Sequence, residues 1–248
     1  MDALRLNGQG HSMDKQEIVA VIRRELGSVI TQRQAAKKDA ALNAARVALR
    51  TFQSERMAET HADLLRDPGT RAAAQFFLTD LYGADDLSQR DANLERVIPA
   101  MERMLPAPAL ATVAGAVSLD ALSERLDAAM ARRLGEDFTE ADYIAAYRKA
   151  GSRAERERQI DQVASLGMSL CELVRVPLIG ATLSMMRGPA RLANLGDLQN
   201  FLERGFKAFK SMKQPEDFVA TVVSREREIL RRLYAGAENP FLLREDSH

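Results

Sequence analysis

Residues 32–66 contain neither glycine nor proline, and Ala, Arg, Lys, Gln and Glu dominate them. These residues keep most of their side-chain freedom in a helix, so the stretch predicts one long helix of about 35 residues, roughly 50 Å at ~1.5 Å per residue. Thr31 with Gln34 supplies a cap, and Asp67-Pro68-Gly69 ends it with turn chemistry. Leu42, Ala45, Leu49 and Phe52 recur at three- and four-residue spacing, which gives a narrow apolar stripe opposite a charged face. A narrow stripe pairs with another helix, either along the same chain or, over residues 35–52, across a homodimer. Upstream, Asp14 reads as the N-cap of a short helix carrying Ile18, Val21, Ile22 and Leu26 and closed by Gly27. No stretch alternates apolar and polar residues over a useful strand length, and no hairpin signature is present. The expectation is an all-α multi-helix bundle of about nine to eleven helices with no β-sheet.

Downstream punctuation divides the chain further. Residues 71–82, with Ala72, Ala73, Phe76, Phe77, Leu78, Leu81 and Tyr82, are apolar around too much of the circumference for a surface helix, so they predict a buried one with Gly83 as its left-handed cap. Ser88 and Asp91 fit an N-cap and third-position acid ahead of Leu94, Val97, Ile98 and Met101; Asp80, Arg90 and Asp91 are candidates for pairing across the turn. Pro99 predicts a kink or an end. A change of apolar phase near Ser118 predicts two tandem helices over residues 110–130. Thr139 with Asp142 and Ser152 with Glu155 are capping-box pairs. Tyr143 and Tyr147, one turn apart, read as packing residues. Gly188-Pro189 reads as a break with proline at a first helical position, Asn194 with Asp197 as a cap, and Pro215 as the start of a last helix stopped by Gly236. Gly205, on the apolar face of its helix, implies close helix approach or room for a ligand.

The runs FFLTDLYG (76–83), SQRDANLERVIP (88–99) and RGPARLANLGDLQNFLERGFKAFKSM (187–212) together resemble an uncharacterised proteobacterial family, the FFLEELY-motif proteins, over roughly residues 42–241. Thr79 and Asp80 stand where the naming motif has two glutamates. The resemblance carries no activity, ligand or catalytic residue with it.

Composition narrows the chemistry. Lys+Arg and Asp+Glu both number 35, so no global basic field attracts nucleic acid, and none is expected as a partner. The one cysteine, Cys171, forbids an internal disulfide, sits at an apolar position and fits a cytoplasmic chain. The N-terminus lacks a secretory pattern, and the apolar run 170–186 is too interrupted for a membrane span of about 20 residues. Of three histidines, His11 and His248 lie near the ends, leaving His61 between Glu59 and Asp63. A di-iron bundle needs two inward Glu-x-x-His pairs, whereas the only one here is Glu245 to His248, and one cysteine makes no zinc site. Phosphate-binding loops, a dinucleotide fingerprint and a nucleophile elbow are also missing. No metal, cofactor or catalytic residue is assigned, and an enzyme is the weaker reading.

The leading expectation is a binding or scaffolding protein that acts through helix surfaces, as a homodimer or with a protein partner. The alternative is a small-anion or apolar-ligand sensor, or a cofactor-independent enzyme. In that reading Arg187 and Arg191 face an anion at a helix start near Pro189, with Asp80 and Tyr82 as neighbours, or Met185, Met186, Phe201 and Phe206 line an apolar cavity. Residues 1–13 read as a mobile arm, 14–240 as one helical domain with a possible division near 135–152, and 241–248 as a frayed tail.

Overall fold

The computed structural model describes residues 13–78 and 88–243. In order these form α1 (Lys15–Lys37), α2 (Ala40–Thr60), α3 (Ala62–Arg66), α4 (Arg71–Phe76), α5 (Ser88–Met104) and α6 (Ala107–Leu134). There follow α7 (Glu140–Lys149), α8 (Arg153–Leu173), α9 (Pro177–Met185), α10 (Arg187–Leu192), α11 (Gly196–Ser211) and α12 (Pro215–Ala235). No strand occurs among the described residues, and the fold is all-α. The proposed cap Gly83, and His11 and His248, lie outside them.

The expected first break is misplaced. Asp14 does cap α1, in a capping box with Glu17, but the helix runs straight through Gly27 and on to Lys37. Thr31 does not start a new helix; its hydroxyl donates to the Gly27 carbonyl one turn back, at 2.8 Å. The chain breaks at Lys38 and Asp39, where the Asp39 carboxylate accepts the Leu42 amide at 3.0 Å and starts α2. His61 then separates α2 from α3. Propensity alone saw no breaker in residues 32–66, yet an aspartate gains more by capping than by sitting inside a helix.

α6 is the common spine. It is one 28-residue helix, not the expected tandem pair. Its apolar face changes phase because its neighbours change: Leu110, Ala114 and Val117 pack with Ile18, Ile22 and Leu26 of α1 and Ile98 of α5, whereas Met130 and Ala131 pack with Ala45 and Leu49 of α2 and Tyr143 and Ala146 of α7. The stripe on α2 is therefore covered within its own chain, Phe52 meeting the Tyr143 ring at 4.5 Å between centroids. α5 continues through Pro99 to Met104.

A third core joins α4, α8, α11 and α12 around Phe76, Ile160, Cys171, Phe209, Phe218 and Leu230. Two glycines set its spacing. A Cβ on Gly205 would lie 2.7 Å from the Phe76 ring, and one on Gly167 would lie 2.8 Å from both Val219 methyls. The expected role of Gly205 is thus close approach, with Phe76 filling the space. Capping boxes start α7 and α8, Pro215 opens α12, and Gly236 closes it at φ 81°. Two predicted signals shift. Asn194 does not cap α11, which follows Leu195 without a side-chain cap; Asn194 instead turns the chain at φ 56°, a conformation asparagine tolerates better than most. Pro189 is the third residue of α10, which begins at Arg187.

Candidate functional site

The structure places the sequence candidates as follows. Arg187 lies on the surface and forms a two-pronged pair with Glu203 of α11, Nε to Oε1 at 2.6 Å and a terminal nitrogen to Oε2 at 2.7 Å. Hydrogen bonds from Arg187 and Gln199 hold the Glu203 carboxyl down to about 2. Arg191, one turn on, is exposed. Asp80 and Tyr82 lie outside the described residues, as does the side chain of Arg90. Asp91 is taken by Arg33. Met185 stands on the outer surface, and Phe201 packs at 5.3 Å against Phe76. An open groove along α12 beside Val223, Arg227 and Arg231, and a smaller one near Val174, Lys210 and Lys213, include neither Arg187 nor Arg191. Cys171 is buried, which pushes its thiol up to about 11.

Sequence reasoning missed a buried ionic seam. Arg46, Arg50 and Gln53 lie at i, i+4 and i+7 on α2, and Asp120, Glu124 and Asp127 repeat that spacing on α6. Arg46 and Arg50 both donate to Glu124, which is 2% exposed, and Gln53 donates to Asp127 at 3.1 Å. Arg33 of α1 completes the set: it reaches Glu124 at 3.0 Å, Asp120 at 2.7 Å, and Asp91 of α5. Burial opposes ionisation of Glu124, but the three guanidiniums outweigh it and lower its carboxyl. Asp127, with fewer cations, is pushed up by burial.

A second cluster ties α2 to α12. Glu226 accepts from Arg56 at 2.6 Å and lies 3.2 Å from His61 Nε2. Burial would raise the Glu226 carboxyl, yet Arg56 and His61 bring it to about 2. Nearby the buried Arg156 guanidinium sits 4.2 Å over the Tyr147 ring. The seam spends its hydrogen bonds inside the fold, which is how buried charges are tolerated, whereas in the second cluster Arg56 Nε and His61 Nδ1 are buried without a hydrogen-bond partner. Among the described residues no group of three or more His, Cys, Asp or Glu could hold a metal ion.

The outer surface of α9 and α10 is the opposite case. No charged residue occurs from Pro177 to Met186, and no residue of α9 is buried. Met186 keeps right-handed dihedrals, so Pro177–Leu192 continues almost as one helix, turned 87° from α8. Its inner side meets α11: a Cβ on Gly180 would lie 3.1 Å from the Phe206 ring, and Gln199 donates to the Leu183 carbonyl at 2.6 Å. Its outer side carries Leu178, Ala181, Met185, Gly188 and Leu192, within about 80° of arc at ~100° per residue. Leu178 is 73% exposed, Met185 79% and Leu192 93%. Val176, just before α9, and Leu202 of α11 are also exposed.

The chain belongs to the family described as domain of unknown function DUF8198, whose profile matches residues 32–240. That match spans both the ionic seam and the α9–α10 surface. Neither a curated protein nor a solved structure matches. No single helix among the described residues is long and apolar enough to cross a membrane.

Proposed function

We propose that the protein is a binding or scaffolding protein whose contact surface is the outer side of α9 and α10 with the adjoining edge of α11. One observation carries this reading: α9 carries no charge and is mostly apolar, yet buries none of its residues. A helix of that composition is normally enclosed by its own fold. Large apolar side chains aligned on one exposed stripe mark a contact surface, whereas scattered ones do not. Arg191 borders the stripe and serves as a polar contact at its edge, while Arg187 lies toward α11 on the inner side, bonded to Glu203. A self-contained small-molecule pocket is the weaker reading, because Arg187 already bonds Glu203 and the grooves noted above lie elsewhere.

Photo-crosslinking tests the reading. A benzophenone amino acid replaces Met185 in the full chain, and a control chain carries it at Val47, an exposed apolar position on α2. Irradiation in cells is expected to give a discrete covalent adduct from position 185 and none from position 47. Equal labelling from both positions, or none from 185, sinks the proposal.

A further inference from the structure

The charge around the stripe selects a partner. Between Arg175 and Lys213 the chain holds seven Lys or Arg residues against Asp197 and Glu203, while the whole sequence is neutral. Arg175 is answered by Glu216 at 2.5 Å and Arg187 by Glu203. Arg191 on α10 and Lys207 and Lys210 on the adjoining α11 remain exposed, with Lys210 reaching over Phe206, the ring on which α9 rests. A second copy of this surface would bring like charges together. A protein partner of usual kind would find no Trp or Tyr anchor on the stripe, only Leu, Met, Ala and Gly. An anionic bilayer asks for less: a few apolar side chains at the headgroup boundary, and cations beside them for the phosphates.

We propose that the outer side of α9 and α10 docks reversibly on an anionic lipid surface, Leu178, Met185 and Leu192 entering the headgroup boundary while Arg191, Lys207 and Lys210 contact lipid phosphates. The inference rests on this surface being the contact surface proposed above. Roughly 24 Å of helix, at ~1.5 Å per residue over Pro177–Leu192, lies along the bilayer plane rather than across it. Three apolar side chains and three cations give peripheral binding that salt reverses, since each surface cation contributes about fivefold at low ionic strength.

The test is flotation of the full chain with phosphatidylcholine vesicles, with and without phosphatidylserine, at low and high salt. Retention is expected only with phosphatidylserine, and it should fall with salt. Leu178→Ser/Met185→Ser/Leu192→Ser and Arg191→Glu/Lys207→Glu/Lys210→Glu should each lower it at least about tenfold. All six positions are exposed, so unchanged circular dichroism and melting confirm that the variants fold, and Val47→Ser should bind like the parent chain. Absence of retention on anionic vesicles overturns the inference, as does retention that neither triple variant reduces. Sedimentation velocity separates this failure from failure of the contact surface itself. A dimer that the apolar triple variant dissolves, or a protein adduct from position 185 without vesicle binding, overturns the lipid partner and keeps the surface.

Discussion

Along α2 and α6 the protein buries charge, and along α9 and α10 it exposes apolar side chains. The ionic seam is solved internally, with every guanidinium of Arg33, Arg46 and Arg50 meeting a carboxylate from α5 or α6. The α9–α10 surface has one side packed on Phe206 and the other facing outward. Side chains of the seam are therefore committed to the fold, and those of the stripe are available to a partner. Mutations should separate the two roles: substitutions in the seam should cost stability, and those on the stripe should cost binding alone.

The most severe way to break the contrast is Glu124→Gln. It keeps the shape but removes the charge that three arginines share, and leaving buried cations without their partner costs about 3–5 kcal/mol. Urea unfolding followed by circular dichroism should show that loss; a cost below 1 kcal/mol, as for a surface pair, would mean the seam is hydrated.

Acid should attack the interior selectively. The Glu226 carboxyl falls from 4.5 to about 2 on folding, so its contribution is present above pH 4.5 and is lost as pH drops toward 2. At about 1.4 kcal/mol per unit this is worth at most about 3–4 kcal/mol. Glu226→Gln should flatten stability over that window when melting is followed between pH 5 and pH 2; an unchanged slope would rule the cluster out as the acid-sensitive element.

Gly205→Ala and Gly167→Ala probe packing without charge. Each added methyl meets a side chain closer than 3 Å, Phe76 or Val219, and overpacking of this kind costs about 1–3 kcal/mol. Gly27→Ala, with open space at its Cβ inside α1, should instead stabilise by up to about 1 kcal/mol. Melting temperatures of the three variants settle the order. The smallest effect is expected on the stripe, where Met185→Ser should change unfolding free energy by no more than about 0.5 kcal/mol. A larger loss would show that α9 is held by its outer side as well.

What the sequence made legible was local. Asp14 with Glu17, Thr139 with Asp142 and Ser152 with Glu155 act within one helical turn, so residue identity alone predicts their caps. The all-α reading follows from the same signals. Asp39 was missed because it sits in a run of good helix formers, and its capping bond shows only once the backbone turns. The seam was illegible for a different reason. Arg46, Arg50 and Gln53 look like a solvated face when α2 is read by itself, and so do Asp120, Glu124 and Asp127 on α6. Their partners lie 74 to 78 residues away. Acids at i, i+4 and i+7 on one helix matched by Arg, Arg and Gln at the same spacing on another are the signal that would have found them. Met185 and Met186 are legible as apolar, but whether they line a cavity or face outward depends on α11, and local pattern does not encode that packing.

The length of those connections bears on how the protein is made. Arg33 and Arg46 leave the ribosome long before Asp120 and Glu124, 87 and 78 residues later. At about 5–20 residues per second, α1 and α2 wait several seconds for α6. During that interval the part of α2 destined for the seam presents arginine and glutamine to water rather than bare hydrocarbon. That face adds nothing for chaperones to grip, so while Leu49 and Phe52 wait for α6 and α7 the ionic seam keeps the apolar surface of nascent α2 to a narrow stripe.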